Sequence, residues 1–389
     1  MAFRLTERIR ALPPYLFIEL DKLKNEAVAR GVDVINLGIG DPDHPTPRLI
    51  IDALAAAAAV TENHRYPLGA GQIEFRREVA RYYERVHGVG LDPATEIIAL
   101  IGSKEGIGHF PLAFVDPGDV VLVPDPGYPV YRAATLFAGG ELYAMPLLKG
   151  NGYLPDLDAI PDAVFARVKL MFLNYPNNPT AAMATRDFFE QAIFKARKHG
   201  FIILHDAAYL DITYGGVKAL SFLEIPGARE VGIELHSLSK TFNMTGWRIG
   251  FAAGNSELVQ GLLTVKTNLD SGVFNAIQYA GVAAMRHYDQ LLPGIVKVYE
   301  SRQRTLMTGL RELGWPSFEA PHATFYVWAP TRGGRSSMET TRNLIDMCGI
   351  VATPGIGLGA AGEGFVRFAL TTDEKRIELA CRRMKQAGV

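Results

Sequence analysis

The chemistry-bearing residues of this chain cluster in a few short segments. Ser237-Leu238-Ser239-Lys240 is followed by Gly246-Trp247-Arg248-Ile249-Gly250. A lysine at the end of an apolar run is costly to bury unless it has a partner or a reaction to perform. Two hydroxyls and an arginine close by are donors suited to a phosphate. A lysine beside an anion site suggests a Schiff base with a phosphorylated aldehyde cofactor. Taken alone, the same residues also fit an exposed lysine in a polar loop. Upstream, His205-Asp206-Ala207-Ala208-Tyr209 closes another apolar run. Asp206 there suits a protonated ring nitrogen and Tyr209 a ring oxygen; a helix cap by Asp206 fits equally well. Asn174-Tyr175-Pro176-Asn177-Asn178-Pro179-Thr180 has the composition of a turn, which needs no function. Arg367 lies inside the apolar run Phe365–Leu370, where an unpaired guanidinium is expensive. A bidentate carboxylate, from protein or substrate, is its natural partner.

Two motifs are lookalikes. Gly357-x-Gly359-x-x-Gly362 matches the dinucleotide fingerprint in letters. That fingerprint needs a helix immediately after it, whereas Gly364–Leu370 reads as a strand. Ser237-x-x-Lys240 has the serine–lysine spacing of penicillin-binding proteins, but the Ser-Asp-Asn and Lys-Thr-Gly elements of those enzymes do not occur in the chain.

The elements that must position these residues follow from hydrophobic patterning. Apolar runs at Ile97–Ile101, Val120–Val123, Lys169–Leu173, Phe201–Leu204, Ile233–Leu238 and Ile249–Ala253 lack apolar/polar alternation, as strands buried on both faces do. Helical patterning separates many of them, for example at Thr185–His199, so an α/β fold with a mostly parallel sheet between helices is expected. A helical stretch from about Ala276 to Arg311 leads to Thr324–Trp328, Val351–Thr353 and Phe365–Leu370, read as strands of a smaller α+β unit. The expected organisation is a large domain over 48–290 and a small domain formed by 1–47 with 291–389. The 389 residues are consistent with two or three domains at roughly 150 residues each.

Composition narrows the class. Hydrophobic residues make up 48% and charged residues 21%, which is globular rather than disordered. The net charge of −1 offers no excess to neutralise a phosphate backbone, so nucleic acid is not expected as a partner. The longest wholly apolar stretch, Ala53–Val60, is far below the roughly 18 residues of a membrane span. The first residues mix charges where a signal peptide would place its apolar core, and two cysteines cannot make a disulfide framework or a cysteine metal cage. A cytoplasmic setting without membrane or metal is the expectation.

In order along the chain, INLGIGDPDHPTP, RYPLGAGQ, Gly102–Lys104, PDPGYPVY, NYPNNPT, HDAAY, SLSKTFNMTGWRIG and Arg367 resemble the class I aminotransferases, pyridoxal-phosphate enzymes of fold type I. The opening ALPPYLFIELDKLK and the lysine block are most similar to the LL-diaminopimelate aminotransferase branch. The resemblance implies a homodimer that cycles pyridoxal 5'-phosphate through its pyridoxamine phosphate form. The amino group moves between an L-amino acid, most similar to LL-diaminopimelate in this branch, and 2-oxoglutarate. It implies that Lys240 holds the cofactor as a Schiff base and shuttles a proton, and that Asp206 keeps the pyridine nitrogen protonated. Tyr209 and Asn178 bond the ring oxygen, and Tyr128 stacks on the ring. Ser103, Lys104, Ser237, Ser239 and Arg248 surround the phosphate. Arg367 grips the substrate carboxylate with Asn178 and the Gly40 backbone, and Tyr15 lines the substrate pocket. Tyr66, on the cofactor side, and Asn275, on the substrate side, look like residues lent across the dimer. Two departures stand out: Ala181 follows Thr180 where members usually have glycine, and Gly69 and Ala70 stand where diaminopimelate-specific members usually carry a glutamate. A broader aminotransferase for aspartate, alanine or aromatic amino acids, or a carbon–sulfur β-lyase on the same scaffold, would share the cofactor motifs.

Overall fold

The structure is a computed structural model that describes residues 3–13, 16–67 and 69–389. Its strands, in chain order, are β1 (Ile35–Asn36), β2 (Ile97–Leu100), β3 (Val120–Asp125), β4 (Glu141–Pro146), β5 (Val168–Asn174), β6 (Ile202–Asp206), β7 (Gly232–Ser237), β8 (Gly250–Gly254), β9 (Tyr326–Pro330), β10 (Ile350–Val351), β11 (Thr353–Pro354) and β12 (Phe365–Ala369). The main sheet has the order β2-β8-β7-β6-β5-β3-β4. Only β8 runs against its neighbours within it. The central strands are buried along nearly their whole length, which is why their sequences read as unbroken apolar runs. Edge strand β4 is largely exposed, with Met145 its one buried residue, and carries no such run, so its sequence gives no buried-strand signal.

Helices cover both faces. The helix Arg186–His199 starts where the Thr185 hydroxyl accepts the Phe188 N–H and ends at Gly200, whose φ of 75° a Cβ would resist. It buries Phe188, Phe189, Ala192, Ile193 and Ala196 along one stripe. The long helical stretch of the sequence is two helices, Asn275–Arg286 and Tyr288–Glu312, with the break at His287. The first is buried among its neighbours through small residues; a Cβ on Gly281 would lie 2.8 Å from Phe75 and 2.9 Å from Ile249. The second leads to an antiparallel sheet of order β11-β12-β9 with its own apolar core around Phe325, Val327, Val366 and Phe368. β1 pairs with β10, so the N-terminal segment joins the C-terminal part of the chain.

The parallel register does the positioning. Asn174 on β5 lies level with Asp206 on β6, and β7 ends beside them at Ser237. The carboxyl ends of parallel strands form the crevice in which such sheets bind ligands. Beneath it, the buried Glu234 of β7 accepts hydrogen bonds from Tyr83 Oη, Ser221 Oγ, the Phe222 N–H, His205 Nδ1 and His236 Nε2, all at 2.8 Å. Burial alone would raise its carboxyl, but the His205 and His236 hydrogen bonds outweigh burial and hold it well below the ordinary range. Because His205 Nε2 accepts the Tyr175 N–H at 3.2 Å, the ring proton lies on Nδ1, facing Glu234.

Ala181 has φ = 61°, the left-handed conformation, with its N–H bonded to the Asn177 carbonyl at 2.8 Å. The departure from glycine noted in the sequence therefore falls where a Cβ costs about 1–2 kcal/mol. Ala181→Gly should raise stability by about 0.5–1 kcal/mol, the strain relief partly offset by a freer unfolded chain. A denaturant midpoint unchanged or lowered by the substitution would contradict this.

Candidate active site

A cavity of 390 Å³ opens at the carboxyl ends of β5, β6 and β7, lined by Gly40, Ser103, Lys104, Tyr128, Asn178, Asp206, Tyr209, Ser237, Ser239, Lys240, Arg248 and Arg367 among others. The sequence-derived residues from seven separate segments thus converge on one space. Three do not. Tyr66 is 88% exposed and away from the cavity. Asn275 is buried, accepting from Gln72 Nε2 at 2.8 Å and donating to the Arg65 carbonyl at 3.4 Å. Tyr15 lies outside the described residues.

Lys240 sits in the single-turn helix Leu238–Thr241 that follows β7, capped by the Ser237 hydroxyl. Its Nζ donates to the Gly40 carbonyl at 3.2 Å. The turn is anchored on its far side, where Thr241 Oγ1 donates at 2.9 Å to Asp211, which also accepts from Tyr82 at 2.8 Å and Tyr288 at 2.7 Å. Burial lowers the Lys240 ammonium to about 8; Asp41 opposes the shift, and Arg248 and Arg367 add to it. A nucleophilic amine available near neutral pH is the result.

Asp206 closes β6 with its carboxylate buried. Oδ2 accepts the Tyr131 hydroxyl at 2.7 Å and Oδ1 the Ala208 N–H at 3.3 Å. Burial pushes its carboxyl up, and the Tyr131 hydrogen bond opposes that push. A cationic ring nitrogen is the partner that such a carboxylate lacks among the groups described. Tyr131 was not singled out by sequence reasoning, although it is the last residue of PDPGYPVY. Its signal was only its spacing of one helical turn from Tyr128, on the helix Pro129–Ala138 that Tyr128 caps. The Tyr209 hydroxyl lies 3.0 Å from that of Tyr326.

The anion subsite is built by close approach of backbones. Helix Ser103–Phe114 begins after Gly102, φ 76°, where a Cβ would lie 2.7 Å from Arg248 Nη2. A Cβ on Gly250 would lie 2.3 Å from the His236 carbonyl and 3.1 Å from the Ser103 nitrogen. Arg248 itself has φ = 55° and donates to the Thr245 carbonyl at 2.9 Å. Ser239 Oγ is buried with no partner among the described residues. An orphaned hydroxyl, a helix N-terminus and a guanidinium on one concavity suit a phosphate. Behind this helix, the buried Lys266 ammonium joins Glu105 at 2.9 and 3.0 Å and Asp270 at 2.9 Å. Glu105, His109 and Asp270 are grouped as metal ligands might be, but that ammonium already supplies their cation.

Arg367, 1% exposed, donates to Asn178 Oδ1 at 2.7 Å, the Gly38 carbonyl at 2.8 Å and Thr353 Oγ1 at 3.2 Å. These three acceptors are neutral, and they orient the guanidinium toward the cavity it lines.

A lysine opposite a buried carboxylate, with a phosphate cradle between, is the layout a pyridoxal-phosphate enzyme of fold type I needs. The model of the family "Aminotransferase class I and II" matches residues 32–384, and the chain belongs to that family. It is a pyridoxal-phosphate-dependent transferase acting on an amino acid and a 2-oxo acid. The chain is 55% identical over 99% of both chains to an LL-diaminopimelate aminotransferase of Syntrophobacter fumaroxidans. It is 52% identical over 97% of both to that of Moorella thermoacetica. Among solved structures it is similar to substrate-bound BacF of Bacillus subtilis, with a TM-score of 0.95 and 35% identity over 99% of this chain and 98% of that one.

Two outcomes are expected. Covalent loading of the apo protein should accelerate about tenfold per pH unit up to a plateau just above pH 8, because only the neutral Lys240 amine attacks. An acceleration continuing to about pH 10 would mean an unperturbed lysine. Tyr131→Phe should slow the amino-acid half-reaction ten- to a hundredfold, the loss of a hydrogen bond to a charged acceptor of about 1.5–3 kcal/mol. A half-reaction rate within twofold of the parent would remove Tyr131 from the machinery.

Proposed function

We propose that the protein transfers an amino group between LL-diaminopimelate and 2-oxoglutarate. What carries this reading is full-length identity of 50% or more with several LL-diaminopimelate aminotransferases, together with a cavity that holds the family's lysine, aspartate and arginine. When bound, the pyridoxal ring supplies a carbonyl to take up the amino group and an electron-poor ring that acidifies the substrate Cα–H. The residues of the chain do the rest. Lys240, displaced from covalent attachment, moves the proton from the substrate Cα, and its depressed pKa keeps it competent as a base. Asp206, held by Tyr131, keeps the ring nitrogen protonated. Tyr209 and Asn178 hydrogen-bond the ring oxygen, and Tyr128 covers the ring face. Ser103, Lys104, Ser237, Ser239 and Arg248 hold the phosphate. Arg367, with Asn178 and the Gly40 backbone, fixes the α-carboxylate so that the Cα–H faces Lys240.

The protein works as a cytoplasmic homodimer in this reading. Support comes from Tyr66, an aromatic side chain left 88% exposed beside the Arg65 carbonyl to which Asn275 donates. Tyr66 and Asn275 then serve the partner's cavity. The unit over 48–290 carries the cofactor, and 1–47 with 291–389 carries the carboxylate arginine. Among the described residues no helix is long and apolar enough to cross a membrane.

A broader specificity is the second reading, favoured by the loop after Tyr66. A Cβ on Gly69 would lie 2.9 Å from Thr267 Oγ1, so an acidic side chain here would have to displace Thr267, and the glycine itself offers nothing to read a distal ammonium. An ammonium buried without an acidic partner loses several kcal/mol, on the order of 3–5.

The visible band of the loaded protein, followed as amino acids are added singly, decides between them. Rapid bleaching by LL-diaminopimelate with little from aspartate or alanine is expected. Rapid bleaching by a common amino acid with little from diaminopimelate would reassign the donor. Ammonia released without 2-oxoglutarate would replace transfer by β-elimination.

A further inference from the structure

Tyr326, the first residue of β9, was not among the site residues read from the sequence, and the known roles described above do not use it. It is buried, and it touches several parts of the cavity at once. β9 and β12 are antiparallel, with Tyr326 opposite Ala369 and Trp328 opposite Arg367. Tyr326 and Arg367 are therefore diagonal neighbours on one face of the small sheet, within reach of each other for long side chains. The Arg367 guanidinium lies over the Tyr326 ring, 4.2 Å from its centroid. At the other end of the ring, the Tyr326 hydroxyl is 3.0 Å from that of Tyr209. The backbone of Gly40 is pressed against the same hydroxyl: a Cβ there would lie 2.0 Å from Tyr326 Oη. The Gly40 carbonyl in turn accepts from Lys240.

We propose that Tyr326 is a positioning residue with two separable duties: its ring face sets the carboxylate-binding Arg367, and its hydroxyl orients the proton of Tyr209 toward the cavity. This rests on the assignment of the cavity as the pyridoxal-phosphate site. A hydroxyl has one proton to give. If Tyr209 gives its proton to a ring oxygen, the contact between the two tyrosines is one in which Tyr326 donates and Tyr209 accepts. Such a chain polarises Tyr209 and makes it a stronger donor. Burial raises the Tyr209 phenol well above its ordinary value, so it stays a donor throughout the working pH range. The charged groups acting on Tyr209 are Arg367 on β12 and Asp206 at the end of β6, while Lys240 reaches the pair through the Gly40 backbone. The face duty has a different origin. A cation over an aromatic face away from water is held by the ring quadrupole.

The test uses the cofactor-loaded protein and variants that separate the duties. Tyr326→Phe keeps the face and removes the hydroxyl. The pH midpoint of the visible lysine–cofactor band should move alkaline by a few tenths of a unit, because a weaker Tyr209 donor stabilises the ring oxygen's negative charge less. kcat should fall severalfold with KM within about twofold, the pattern of an interaction made only in the transition state. In a Tyr209→Phe background the same substitution should add no further shift. Tyr326→Leu removes the face, and the dissociation constant of glutarate, an unreactive dicarboxylate, read from the band, should rise about tenfold. Tyr326→Phe should leave that constant within about twofold. A band midpoint in Tyr326→Phe equal to the parent's, a shift that persists without Tyr209, or glutarate binding by Tyr326→Leu equal to the parent's would overturn the proposal. The phenylalanine arm stands by itself if the leucine variant does not fold. Lys240→Ala, run alongside, must lack the band; if it keeps the band, the assignment of the cavity fails rather than the role of Tyr326.

Discussion

Burying opposite charges in one cavity without letting them pair directly is the constraint on which the rest of the molecule depends. Asp206, Lys240 and Arg367 must each face the same space, and direct ion pairs among them would leave nothing for a cofactor or a substrate. Neutral hydrogen-bond partners orient each of them: a phenol and an amide for Asp206, a carbonyl for Lys240, an amide, a carbonyl and a hydroxyl for Arg367. Neutral partners fix direction without forming an ion pair of their own. Distance between the three is kept by rigid elements, two adjacent parallel strands for Asp206 and Lys240, and a separate antiparallel sheet for Arg367.

The segment Gly38–Thr46 fastens the second sheet to the first. Gly38 accepts from Arg367 and Thr353, Ile39 from Thr371, and Gly40 from Lys240, while Thr46 donates to the Asn243 carbonyl. Asp43 makes a bidentate pair with the buried Arg302 at 2.6 and 2.8 Å. One stretch of backbone therefore touches both Lys240 and Arg367, and its glycines are required by close approach rather than by flexibility.

Much of this was legible in the sequence, for a physical reason. The central strands are buried on both faces, so their composition alone marks them, and their polar ends stand out against apolar runs: Asn174, Asp206 and Ser237. The buried Arg367 stood out in the same way. What could not be read was pairwise partnership. Tyr131 and Tyr326 are aromatic residues in aromatic surroundings, and nothing in their local sequence distinguishes a phenol aimed at Asp206 or Tyr209 from one filling a core. β4 was missed because it is mostly exposed and carries no apolar run, and the helix break at His287 because apolar periodicity continues on both sides of it. The Gly357–Gly362 lookalike is two short 3₁₀ turns leading into β12, in keeping with the strand read after it.

The Glu234 cluster has a consequence for how this sequence can change over time. A single carboxylate there serves donors from four stretches of chain: the helical segment bearing Tyr83, the turn at Ser221–Phe222, β6 and β7. Replacing Glu234 alone strands all of those donors in a dry interior, and replacing any one donor leaves the others demanding the same carboxylate. Each single replacement there carries a cost of about 1–3 kcal/mol that depends on the other members, so the five positions are coupled to one another in a way that exposed positions on the outer helices are not.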